Sequence, residues 1–146
     1  MDPLGTVTHA RRALRVVIAD DAPAMRRGFA ELLGEIEGVA VIGDAADAPQ
    51  AIDIVRRLVP DILVLDFRLP GGGGLAVLDA LRDDARAPLS IVMTNDPDVE
   101  HRASCFAAGA GFFLDKSRQE GDLVELVAGL SRAHRQSGTR DHHSPG

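Results

Sequence analysis

The stretch Ile62-Leu63-Val64-Leu65-Asp66, running on through Phe67-Arg68-Leu69-Pro70 into Gly71-Gly72-Gly73-Gly74, decides how this chain is read. Four consecutive apolar residues, closed by a carboxylate and then by proline and glycine, read as a short strand buried on both faces. Similar runs lie on either side of it. Val16-Val17-Ile18-Ala19 and Val39-Ala40-Val41-Ile42 precede it, and Leu89-Ser90-Ile91-Val92-Met93 and Gly111-Phe112-Phe113-Leu114 follow. Helical stripes fill the intervals, with apolar residues repeating by three and four. The first holds Met25, Phe29, Leu32, Leu33 and Ile36, and the second Ile52, Val55, Leu58 and Val59. Leu75, Leu78 and Leu81 form the third, and Val99, Ala103, Phe106 and Ala107 the fourth. Leu123, Leu126, Val127 and Leu130 make the fifth. Pro23 and Pro97 stand where a first helical turn tolerates proline, while Pro60 and Gly109 end the second and fourth helices. Five βα units in a row predict a parallel sheet with right-handed crossovers and helices on both faces.

Composition supports one compact domain. The 146 residues are 45% apolar and 26% charged, which excludes wholesale disorder. With 22 acidic against 16 basic side chains, and neither Tyr nor Trp, the chain is ill suited to grip nucleic acid by charge and stacking. No apolar run reaches the length of a membrane span, and Met1 to Arg15 lacks the apolar core of a signal peptide. The lone Cys105 has no partner for an internal disulfide, which fits a reducing compartment. The expectation is a cytoplasmic protein with no membrane partner and no nucleic-acid partner. Residues 1–14 and 137–146 carry no periodic pattern and read as flexible extensions of a domain spanning 15–136. Arg11, Arg12 and Arg15 read as a solvated lead-in to the first strand, and His142-His143 as incidental.

The chemistry gathers where the strands end, the edge at which open parallel sheets bind ligands. Asp20 and Asp21 follow the first strand, Gly43-Asp44 the second, and Asp66 the third. Thr94-Asn95 follow the fourth, and Asp115-Lys116-Ser117 the fifth. Three carboxylates about 5 Å apart repel by roughly 3 kcal/mol per pair at an effective dielectric near 20, so they remain ionised together only around a cation. An all-oxygen set favours a hard divalent ion such as Mg²⁺. A carboxylate beside that ion can act as a nucleophile toward phosphorus, with a hydroxyl and an ammonium to neutralise the phosphoryl oxygens. Lys116 is the single lysine among the basic residues, which suggests a position that needs a compact ammonium.

The glycine run admits another reading. Gly71, Gly73 and Ala76 satisfy G-x-G-x-x-A ahead of a helix, and Asp96 lies about 20 residues on, as a dinucleotide fingerprint would have it. Against it, Phe67 to Pro70 separate the glycines from the strand, whereas a phosphate turn comes straight off one. The preferred reading is a flexible turn into the third helix, with only Gly74 in a set backbone role.

Asp20-Asp21, Asp66 closing its strand, Pro70, Gly74, Thr94 and Lys116 together resemble the receiver domain of two-component response regulators, over about residues 15–135. The resemblance implies a flavodoxin-like, doubly wound (βα)5 fold with strand order 2-1-3-4-5. It implies Asp66 as phospho-acceptor, and Asp20 and Asp21 as the acids that hold Mg²⁺ with Asp66 and the main-chain carbonyl of Arg68. Thr94 would be the switch hydroxyl, Lys116 the ion-pair partner of the phosphoryl group, and Phe113 the aromatic that turns inward on activation. Arg68 and Asp96 fall at positions that tune phosphoryl lifetime. Ser117 departs from the proline many receivers carry after the lysine. The stretch from Phe112 to Ser117 is similar to receivers with a helix-turn-helix output, and the expectation is a receiver that lacks that output.

The implied function is a stand-alone, phosphorylation-activated signalling switch. A histidine kinase or histidine phosphotransfer protein would be its donor, and a protein docking on the face of the fourth helix, fifth strand and fifth helix its output. It would catalyse only its own phosphorylation and dephosphorylation. Two alternatives stand beside it: the receiver portion of a DNA-binding transcription regulator, and a small aspartyl-phosphate phosphatase. The phosphatase usually needs a second acid two residues after the nucleophile, where this chain has Arg68.

Overall fold

The computed structural model describes residues 12–117 and 120–143. Strands and helices alternate throughout: β1 (Leu14–Ala19), α1 (Pro23–Gly34), β2 (Val39–Ala45), α2 (Ala48–Leu58), β3 (Ile62–Asp66), α3 (Gly73–Leu81), β4 (Leu89–Thr94), α4 (Val99–Ala107), β5 (Phe112–Asp115) and α5 (Glu120–His143). The strands form one sheet in the order β2-β1-β3-β4-β5, every pair parallel, so the doubly wound architecture and strand order are those expected. No helix among the described residues is long and apolar enough to cross a membrane.

The continuous apolar runs have a direct cause. Because alternate side chains leave opposite faces of a strand, a sheet covered on both faces needs apolar residues at every position. Val16, Ile18, Ile62, Val64, Ile91 and Met93 meet Phe29 and Leu33 of α1 and Leu123 and Val127 of α5 in one core. Val17, Ala19, Leu63, Leu65 and Val92 meet Val55 of α2, Val77 and Leu81 of α3 and Cys105 of α4 in the other. All five residues of β3 are buried, which makes it the sheet's centre.

Pro97 lies just before α4, where the sequence places it, and the Asp98 side chain caps that helix by accepting from the His101 N–H at 2.7 Å. Three details differ from the sequence expectations. Val59 is not part of α2 but its left-handed C-cap, at φ 49°. The stripe on α4 faces out: Val99 is 82% and Phe106 40% exposed, and Cys105 is the one buried residue of the helix. A helix this short, packed near the sheet's edge, buries one side chain where the periodicity predicts a face. Finally, α5 continues through residues 137–143, where a loose tail was expected. Extending an established helix avoids the cost of nucleation, so polar residues without a periodic pattern can prolong it. The expected N-terminal extension, apart from residues 12–14, lies outside the described residues, as do residues 144–146.

Candidate functional site

The acidic pocket is assembled from four strand ends. Asp20 follows β1 directly, and its N–H donates to the Ala45 carbonyl at 3.0 Å, which anchors it to the neighbouring strand. Its Oδ1 accepts from the Ala22 N–H at 2.9 Å, turning the chain toward α1, where Pro23 begins the helix. Arg26 of α1 donates to the Asp20 carbonyl at 2.7 Å and pairs with Asp44 at 3.5 Å. Asp44 therefore belongs to β2 and to this surface pair, not to the acidic cluster.

Asp66 is the last residue of β3, and its Oδ1 accepts from the Arg68 N–H at 3.2 Å. The turn behind it needs glycine in more places than Gly74. Gly71, Gly72 and Gly73 all have positive φ, at 83°, 127° and 82°. At Gly74 a Cβ would lie 3.0 Å from the Asp66 carbonyl oxygen, so a side chain there would press on the residue that carries the carboxylate. The run is a tight, committed turn. It does not come straight off the strand as a dinucleotide-binding turn would, since six residues separate Asp66 from Gly73.

Asp20, Asp21 and Asp66 each place a carboxylate oxygen within 4.8 Å of the others. Lys116, at the end of β5, places Nζ 2.6 Å from Asp20 and 3.6 Å from Asp66. Its own N–H donates to the Thr94 carbonyl, tying the lysine to the end of β4. Asp20, Asp66, Thr94 and the Lys116 side chain are buried, whereas Asp21 is exposed. The Thr94 hydroxyl accepts from the Asp96 N–H at 3.1 Å. Asp20, Asp21, Asp66, Thr94 and Lys116 thus come together at one sheet edge.

Electrostatics give the pocket its character. Burial raises the Asp66 carboxyl above the ordinary carboxylate value, and Asp20 and Asp21 add to this, while Lys116 and the Arg68 N–H oppose it. Three carboxylates facing one ammonium leave an excess of negative charge, and all the donors are oxygen. That set fits a hard divalent cation such as Mg²⁺.

Phe113 differs from expectation, and the contacts of His101 and Arg26 escaped it. Phe113 is already inward in the unmodified chain, 9% exposed and packed in the core cluster that holds Val92 and Cys105. Burial pushes the Cys105 thiol up to about 11, which makes it a packing residue rather than a nucleophile. Across the mouth of the pocket, Arg68 pairs with Asp96 at 3.4 Å, and the Phe67 ring lies 4.6 Å from that of His101. Neither His101 nor Arg26 carried a sequence signal, because both act through contacts between separate loops and helices. Asp96, Asp98 and His101 also bring ligand atoms together, but Asp96 is paired with Arg68 and Asp98 serves as the α4 cap. In place of a proline, the Ser117 N–H and hydroxyl both donate to Asp115 Oδ1, at 2.9 and 2.6 Å.

Comparison with known proteins gives this arrangement a lineage. Residues 16–128 match the sequence profile of the response regulator receiver domain. The nitrate/nitrite response regulator protein NarP of Escherichia coli is 37% identical over 116 residues, covering 79% of this chain and 54% of the relative. A protein-glutamate methylesterase/protein-glutamine glutaminase of Myxococcus xanthus is 36% identical over 104 residues, 70% of this chain and 30% of that protein. The chain therefore spans about half the length of the nitrate/nitrite regulators it matches, and less of the methylesterase. Among solved structures, the receiver domain of NarL from Mycobacterium tuberculosis superimposes with a TM-score of 0.77 at 27% identity, over 83% of this chain and 98% of that one. Since the profile match takes in most of the chain and both cores of the fold, the chain belongs to the response regulator receiver domain family.

Proposed function

We propose that the chain is a phosphorylation-driven signalling switch with Asp66 as its acceptor. The observation that carries this reading is the buried placement of Lys116 Nζ between Asp20 and Asp66, at 2.6 and 3.6 Å, beside Thr94. An Asp66 carboxylate oxygen attacks the phosphorus of a phosphohistidine on a kinase or phosphotransfer protein. The P–N bond breaks, and the departing imidazole takes up a proton. Asp20, Asp21, Asp66 and the Arg68 carbonyl would hold Mg²⁺, which when bound supplies charge neutralisation for the phosphoryl oxygens. Lys116 is positioned to shift its ion pair from Asp20 to the new phosphoryl group. The Thr94 hydroxyl then exchanges the Asp96 N–H for a phosphoryl oxygen, so the modified state gains contacts that the unmodified state lacks.

The signal would leave through α4, β5 and α5. There Val99 and Phe106 are the exposed large apolar residues, and Phe113 links that face to the core. Since Phe113 already points inward, the movement expected at this face is of α4 and its preceding loop rather than of the ring. A second reading has one observation behind it. A similar solved structure, at 30% identity and TM-score 0.77, is a two-component response regulator of the LuxR family from Aurantimonas, which supports the reading of this domain as the receiver portion of a transcription regulator. The phosphatase alternative is weakened because the residue two past Asp66 is Arg68, tied to Asp96.

Incubation with a small phosphodonor and Mg²⁺, read by intact mass, tests the proposal. Wild type gains one phosphoryl group and Asp66→Asn gains none. Equal labelling of both would remove Asp66 from the mechanism, and sustained turnover of a phosphate ester would favour the phosphatase.

A further inference from the structure

The opposite edge of the sheet carries a second concentration of charge. A cavity of about 640 Å³ opens at the amino ends of β1, β3 and β4, lined by Arg12, Arg15, Arg57 and Arg86, with Asp61 the only acid among the described lining residues. In a chain of net charge −6, this is a local excess of three positive charges among those described residues. Asp61 is already engaged: its Oδ2 accepts from the Arg15 N–H at 2.8 Å, and its Oδ1 lies 3.9 Å from Arg12. Arg57 pairs with Asp53 on the outer face of α2, leaving the other edges of its guanidinium fork available. Arg86 is exposed on the loop before β4.

The wall between these arginines is built at a conformational cost. Val59 ends α2 in the left-handed region at φ 49° and ψ 63°, a conformation β-branched residues avoid and one further disfavoured before Pro60. Glycine is the usual occupant of such a cap. Two contacts hold Val59 there: its N–H donates to the Val55 carbonyl, and its carbonyl accepts from Arg15 Nη1, both at 2.8 Å. The same valine and Arg86 also line an adjoining cavity of about 220 Å³. Strain that the surroundings enforce, in a residue forming the apolar wall of an arginine-lined cavity, is the pattern of a ligand site.

We infer that this basal cavity binds a small organic phosphate of about nucleotide size, its phosphate oxygens on the arginine forks and its apolar part against Val59. Guanidinium forks match phosphate oxygens two at a time, and the volume suits a mononucleotide. The site lies at the opposite ends of the strands from Asp66, and it stands whether or not Asp66 accepts a phosphoryl group.

Calorimetric titration of the whole chain with ADP and with inorganic pyrophosphate, in EDTA to keep divalent ions from the acidic edge, tests this. ADP binds at one site with a dissociation constant below about 1 mM, more tightly than pyrophosphate. Arg86→Ala and Arg12→Ala, both at exposed positions, each weaken binding about tenfold without changing the melting temperature. Asp66→Asn binds as wild type does. Absence of binding at millimolar ADP overturns the inference. So does binding that survives both arginine substitutions, or that disappears in Asp66→Asn. A short DNA duplex that binds where ADP does not would also overturn it, assigning the patch to nucleic acid.

Discussion

The two edges of this sheet are built from the same strands and carry opposite charge by opposite means. At the carboxyl edge, Asp20, Asp66 and Lys116 are withdrawn from water and held among one another, so each charge depends on its neighbours. At the amino edge, Arg12, Arg57 and Arg86 reach into solvent, and of the four arginines Arg15 alone is half-buried and committed to the backbone. Burial makes the first edge sensitive: removing one partner leaves another charge uncompensated in a medium of low dielectric. Exposure makes the second tolerant, because water screens what a substitution leaves behind. The switch proposed at Asp66 lies at the sensitive edge.

The sharpest way to break that contrast is Lys116→Met. It strands two buried carboxylates and should cost about 3–5 kcal/mol in urea unfolding without divalent ions, with millimolar Mg²⁺ restoring part of the loss. A cost below about 1 kcal/mol would show the pocket to be wetter than its burial implies. At the other edge, Arg15→Ala removes the bond to the Val59 carbonyl and should cost about 1–2 kcal/mol, whereas Arg86→Ala should stay within about 0.5 kcal/mol.

Asp66→Asn should act in the opposite direction. In the folded chain the Asp66 carboxyl holds its proton to higher pH than in the unfolded chain, where its value is the ordinary 3.8. The folded state thus binds more protons between those two values, so this group's contribution to stability falls as pH rises from 3.8 through the folded value. Above that window the ionised carboxylate is a standing cost. At pH 7 without divalent ions Asp66→Asn should therefore melt a few degrees higher than wild type in calorimetry, and the gap should close toward pH 4. The smallest expected effect is that of Arg68→Ala. Its exposed pair with Asp96 contributes under about 0.5 kcal/mol to stability, yet its loss should alter the lifetime of phosphorylated Asp66 several-fold. Equal hydrolysis rates in the two proteins would leave the pair without a role at the site.

The alternation of runs such as Ile62–Leu65 with stripes such as Leu123–Leu130 determined the architecture, because burial on both sheet faces writes itself into consecutive apolar residues. The same pattern located Asp20, Asp66, Thr94 and Lys116, since a parallel sheet delivers every strand end to one edge. What it left open depended on contacts between residues distant in the chain. That α4 turns Val99 and Phe106 outward was decided by where the helix meets the sheet, and a stripe cannot report how much of it finds a partner. That Lys116 rests nearer Asp20 than Asp66, while its own N–H bonds the Thr94 carbonyl, is a matter of four strand ends meeting. The arginine-lined cavity is the clearest case. Arg12, Arg15, Arg57 and Arg86 lie in separate parts of the chain and read singly as solvated charge; only the packing of β1, β3 and β4 brings them around the strained Val59. Periodicity is local and survives in one dimension, whereas the convergence of unlike segments on one volume exists only once the chain has folded.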